Sequence, residues 1–136
     1  MFEWGRAICY SGYRQGQSPK NATYPTYEQI KEDLTLLNEL GFKYLRMYDP
    51  IRYAEETCKV IRDCGFHMQL MLGPGLISEV NNPGCPWNKT NYSEQELKQR
   101  AERNDRNIDE LIRISNENSD VINAVSVGNE NTPDWG

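Results

Sequence analysis

The chain has 136 residues, with 15 Lys and Arg against 20 Asp and Glu, which is a usual size for one domain with one substantial core and argues against two. Acidic and basic residues are interspersed with no run of like sign, so neither nucleic acid nor an anionic membrane is an expected partner. No apolar run approaches the roughly 20 residues of a membrane helix, and the start, Met1-Phe2-Glu3-Trp4-Gly5, lacks the basic and apolar regions of a secretory signal, so the expectation is a soluble chain without an address.

In chain order, Arg6 to Tyr10 is a short apolar run that opens into the polar, Gly-rich stretch "SGYRQGQSPKNATYP". From Thr26 to Leu40 the apolar residues Tyr27, Ile30, Leu34 and Leu37 recur at helical spacing. Thr26 with Gln29 three later is a capping-box signature, and Gly41 is the expected stop. Lys43 to Tyr48 reads as a second strand, broken by Asp49-Pro50 and followed by a helical stretch through Val60 and Ile61 that Gly65 ends. Phe66 to Leu72 is the third strand. It leads into "GPGLISEVNNPGCPWNKTNY", in which one helical turn is expected around Leu76 to Val80. Ser93 with Glu96 caps a third helix, Glu94 to about Asn116, whose inner face is predicted to carry Leu97, Ala101, Asn104, Ile108, Leu111 and Ile112. Val121 to Val127 is the fourth strand.

Strands alternating with helices imply right-handed crossovers and a parallel sheet, so the class is α/β. Residue count alone favours an open, doubly wound sheet, because a closed (β/α)8 barrel needs about 250 residues. In both architectures function sits at the C-terminal ends of the strands. Those ends read Tyr10-Ser11-Gly12-Tyr13-Arg14, Arg46-Met47-Tyr48-Asp49, Gly73-Pro74-Gly75 and Gly128-Asn129-Glu130. A phosphate site would need a glycine-rich turn running straight into a helix, whereas "YSGYRQGQ" is followed by about ten further residues before its helix. Tyr, Arg, Asn and carboxylate together suit a sugar, with aromatic faces for pyranose rings and planar polar groups for hydroxyls.

Four cysteines (Cys9, Cys58, Cys64, Cys85) and one histidine, His67, form no CxxC pair and no zinc spacing. Three Asn-x-Ser/Thr sequons, at Asn21, Asn88 and Asn91, matter only on a glycosylating secretory route.

The blocks "CYSGYRQGQSP", "YLRMYDP", "EVNNPGCPW" and "AVSVGNE" occur in order over nearly the whole chain, and together they closely resemble family 17 of the glycoside hydrolases, particularly its bacterial members. The resemblance implies a (β/α)8 TIM barrel, in place of the open sheet favoured by length, and an enzyme that cleaves or rearranges β-1,3-linked glucans with retention of configuration. It implies that Glu130 is the general acid/base and that Asn129 binds the 2-hydroxyl of the sugar at the cleavage point. It further implies that Arg46 and Tyr48 flank the same subsite and that Tyr10 is the first strand's contribution. No cofactor or metal is implied.

Period-two alternation agrees in placing Ala124, Ser126, Gly128 and Glu130 on one face, so that Asn129 reaches the same sugar only if the strand bulges or bends at its end. A retaining glycosidase also needs a second carboxylate about 5–5.5 Å from the first, and the family takes it from the seventh strand. Residues 1–136 are therefore expected to be the first four βα units, the N-terminal half of the catalytic barrel. Such a half should leave an uncovered inner sheet face, including Val121 and Val125, and should self-associate or pair with a complementary C-terminal half. The alternatives are a non-catalytic carbohydrate-binding or interaction module and an unrelated open-sheet binding domain.

Overall fold

A computed structural model describes residues 3–49, 52–86 and 88–128. The elements are β1 (Arg6–Cys9), α1 (Tyr27–Glu39), β2 (Phe42–Met47), α2 (Ala54–Asp63), β3 (Gln69–Leu72), α3 (Glu94–Glu117) and β4 (Ile122–Val125), with one 3₁₀ turn at Pro19–Asn21. All strand pairings are parallel, in the spatial order β1-β2-β3-β4. A doubly wound sheet reverses its winding about an early strand, whereas sequential right-handed crossovers lay every helix on one face. The strand order is therefore consistent with part of a barrel and not with a doubly wound sheet.

Local chemistry sets the helix starts. Thr26 Oγ1 accepts from Gln29 N while Gln29 Oε1 accepts from Thr26 N, and Ser93 and Glu96 reciprocate in the same way. Gly41 and Gly65 follow α1 and α2 with φ of 76° and 65°, the left-handed conformation that glycine takes without a Cβ penalty. Two expectations are corrected. No helical turn forms at 76–80, which is irregular and bends at 79–80. On α3 the buried residues are Asn104, Asn107, Leu111 and Ile114, while Ile112 is 54% exposed.

The core lies between the sheet and the helices. Leu45, Met47, Leu70 and Leu72 point from the strands onto Ile30 and Leu34 of α1, Cys58, Val60 and Ile61 of α2, and Leu111 and Ile114 of α3. Burying a leucine-sized side chain is worth about 1.5–3 kcal/mol, so this layer dominates stability. Val121 belongs to it and is buried, contrary to the expected uncovered position, whereas Val125 is 52% exposed. The ladder shifts register where Leu70 pairs with Ile122 but Met71 with Ala124, leaving Asn123 as an extra residue on β4. This bulge comes early in the strand, ahead of Ala124, and from there the pairing is regular, with Ala124 opposite Met71 and Val125 opposite Leu72.

Candidate functional site

Three backbone bonds continue the ladder past the strand ends and bring those ends to a common rim. Tyr10 N donates to Arg46 O at 2.9 Å, Gly73 N to Met47 O at 3.0 Å, and Ser126 N to Leu72 O at 3.0 Å. Gly73 has no room for a side chain, because a Cβ there would lie 2.8 Å from the Ser126 carbonyl oxygen. Glycine is what lets β4 close against β3 at the rim.

Because Leu45 and Met47 point to the helices, Tyr44, Arg46 and Tyr48 point to the opposite, uncovered face. Arg46 pairs laterally with Cys9 and Met71. Its guanidinium carbon sits 4.6 Å from the centre of the Tyr48 ring, and the Tyr48 hydroxyl lies 3.0 Å from Cys9 Sγ. Ala7, Cys9, Tyr44, Arg46 and Met71 line an open depression of about 310 Å³ on this face. An aromatic ring stacked on a planar cation, with an apolar floor beside it, can hold sugar hydroxyls and a pyranose edge.

The structure thus brings Arg46 and Tyr48 together and adds Cys9, which sequence reading left out although its parity with Ala7 against Ile8 and Tyr10 points to the same face. Tyr10 is placed differently. Its ring is buried on the helix side, edge-on to Tyr53 at 6.3 Å between centroids, and its hydroxyl donates to Asp33 Oδ2 at 3.1 Å. Burial first, and then the Asp33 charge, push its pKa well above the usual tyrosine value. It meets Tyr48 only around a cavity of about 70 Å³, shared with Tyr13, Asp49 and Arg52.

Other polar residues of the rim are also committed. Arg14 makes a two-pronged pair with Asp33, at 2.9 and 2.6 Å, which favours its charged form and raises its pKa. Gln17 Nε2 donates to Tyr24 O and to Gln29 Oε1. The "YRQGQ" stretch therefore ties the first loop to α1. Asp49 pairs with Arg52 at 3.1 Å, and Glu79 Oε1 accepts from Asn104 at 2.8 Å. Asn129 and Glu130, with Trp87 and Trp135, lie outside the described residues.

A cavity of about 520 Å³ lies at the other end of the sheet, among Lys43, Phe66, His67 and Asp120, away from the strand ends where α/β chemistry is found. Among the described residues no cluster of His, Cys, Asp and Glu could hold a metal ion, and no helix is long and apolar enough to cross a membrane.

No family model and no curated protein matches the sequence. Among solved structures, the chain is similar to the crystal structure of an endo-laminarinase from Formosa Hel1_33_131, with a TM-score of 0.67 and 24% identity. The match covers 96% of this chain and 32% of that one, so the chain spans about a third of that protein's length. At this identity the likeness establishes the fold alone, which is α/β, with a four-stranded parallel sheet consistent with part of a barrel.

Proposed function

We propose that residues 1–136 form the N-terminal half of a family 17 glycoside hydrolase barrel, its first four strands with the three helices between them, acting on β-1,3-glucan-type polysaccharide as a hydrolase or transglycosylase with retention. The observation that carries this reading is the Arg46–Tyr48 pair, open on the uncovered face at the C-terminal rim of a sequentially ordered parallel sheet. The fold likeness to an endo-laminarinase supports the same substrate class.

In this reading Glu130 protonates the departing glycosidic oxygen and then, as a carboxylate, takes a proton from water or from an acceptor hydroxyl. Asn129 holds the 2-hydroxyl of the same sugar, and Arg46 and Tyr48 hold the neighbouring edge. Tyr10 supports the rim through Asp33. The nucleophilic carboxylate comes from a complementary half, since the rim carboxylates Asp49 and Glu79 are already engaged. General acid/base and nucleophilic carboxylates suffice for glycosyl transfer, so the mechanism uses no cofactor.

The test assembles the chain with a C-terminal half and compares Glu130→Gln with the unaltered sequence. Glucan hydrolysis should fall by about 10²–10⁴. Release of an activated aryl leaving group, which needs no proton, should be largely spared in the first step. Equal loss on both substrates would remove Glu130 from the acid role. Binding of a β-1,3-glucan without turnover in any assembly would favour a carbohydrate-binding module.

A further inference from the structure

After β3 the described residues between Gly73 and Tyr92 form neither helix nor strand, and side chains of α3 hold the first part of this loop. Asn107 Nδ2 donates to Gly75 O at 3.1 Å. Asn104 Oδ1 accepts from Ile77 N at 3.0 Å, and its Nδ2 donates to Ile77 O at 2.7 Å and to Glu79 Oε1 at 2.8 Å. Arg100 donates to Ser78 O at 2.6 Å and to Ser78 Oγ at 3.1 Å. Spacings of four and three put these three residues in one stripe along the helix. Asn104 and Asn107 are 3% and 4% exposed, at positions where an amphipathic helix would ordinarily bury apolar residues. A buried amide is retained at such a place only when its partners need it, and here the partners are the otherwise unpaired backbone groups of the loop.

The loop in turn meets the sugar rim. A Cβ at Gly75 would lie 3.6 Å from Asp49 Oδ2 and 3.7 Å from the Tyr48 carbonyl oxygen. Gly75, whose carbonyl is held by Asn107, therefore passes beside the segment that carries Tyr48.

We propose that Asn104 and Asn107 are positioning residues for the sugar site. They fix the start of the loop, residues 75–79, to α3 and so keep Gly75 beside Tyr48 and Asp49, at the edge of the cleft on which Tyr48 stands. This rests on the reading of that rim as a β-1,3-glucan site.

The test uses the whole 136-residue chain, with a β-1,3-linked glucohexaose as the probe. Its Kd is measured by titration, and amide hydrogen exchange is followed at Ile77, Ser78 and Glu79. Asn107→Ala removes the clamp bond. Asn107→Leu, similar in size and without polar groups, secures a folded variant. Asn118→Ala is the control, because Asn118 is buried and donates to Ile114 O at 2.8 Å at the far end of α3. Both Asn107 variants should exchange at least about tenfold faster at 77–79 and bind about tenfold more weakly per folded molecule, the loss expected when one buried hydrogen bond is removed. The control should lower Tm and leave both readouts unchanged. Unchanged exchange and Kd in Asn107→Leu would overturn the positioning role. Absence of hexaose binding by the unaltered chain, with the exchange response intact, would instead overturn the sugar assignment and with it the purpose given to the clamp.

Discussion

On the face turned to the helices, β2 and β3 present Leu45, Met47, Leu70 and Leu72, none more than 2% exposed; on the other face the same strands present Tyr44, Arg46, Tyr48 and Met71, the last two 41% and 39% exposed. The backbone is shared, and only the parity of the residue number separates the two sets. One face is uniformly apolar because α1, α2 and α3 cover it. The other mixes a cation, aromatic rings, a thiol and a thioether, a composition that packs poorly as a core and suits contact with a polar ligand. Folding energy and candidate chemistry are thus carried by alternate residues of the same strands.

The largest effect should come from cutting into the covered face. Leu72→Ala should lower unfolding free energy by about 2–5 kcal/mol, whereas Met71→Ala, one residue along on the open face, should change it by less than about 1 kcal/mol. Urea titration of the two variants reads this directly. Equal losses would mean that the open face is packed in solution, by a second copy or by a complementary half.

Alkaline pH should attack the same covered layer. Burial pushes the Cys58 thiol up to about 12, and the fold also raises Tyr10. The folded state keeps these protons while the unfolded chain loses them, so the stabilisation is complete below the free-thiol value of about 8.5 and is lost as pH rises from there toward 12. Cys58→Ala should reduce the stability loss between about pH 8.5 and 10.5 by roughly 1–2 kcal/mol, with the part owed to Tyr10 remaining. An unchanged slope in chemical denaturation across that range would mean that the thiol ionises without cost in the folded state.

The smallest effect on stability should follow Tyr48→Ala. Removing this ring from the open face should change unfolding free energy by less than about 1 kcal/mol, while glucohexaose binding weakens by about tenfold or more, as for loss of a good aromatic contact. A large fall in Tm with binding per folded molecule unchanged would make Tyr48 a structural residue and erase the functional difference between the faces.

The sequence by itself determined what depends on neighbours a few residues away. The alternation of strands and helices, the capping boxes at Thr26 and Ser93 and the glycine stop at Gly41 all follow from helical periodicity, side-chain caps and a φ that only glycine takes easily. The same locality made Arg46 and Tyr48 legible as polar and aromatic residues at a strand end, while their shared subsite was implied only by the family resemblance. It did not reveal which face the helices would cover, and so Tyr10, a chemically plausible sugar residue, proved to be a core tyrosine with its hydroxyl on Asp33. Nor did periodicity separate Ile112 from Ile114 on α3, because several candidate stripes fit its pattern and only the surface it packs against selects one. Asn104 read as part of an apolar face because its partner, the backbone of Ile77, lies 27 residues away. The extra residue on β4 was likewise set by pairing with β3 rather than by the strand's own composition. Strand order, face assignment and the clamp on the third loop were decided by contacts between distant segments, which local propensity does not encode.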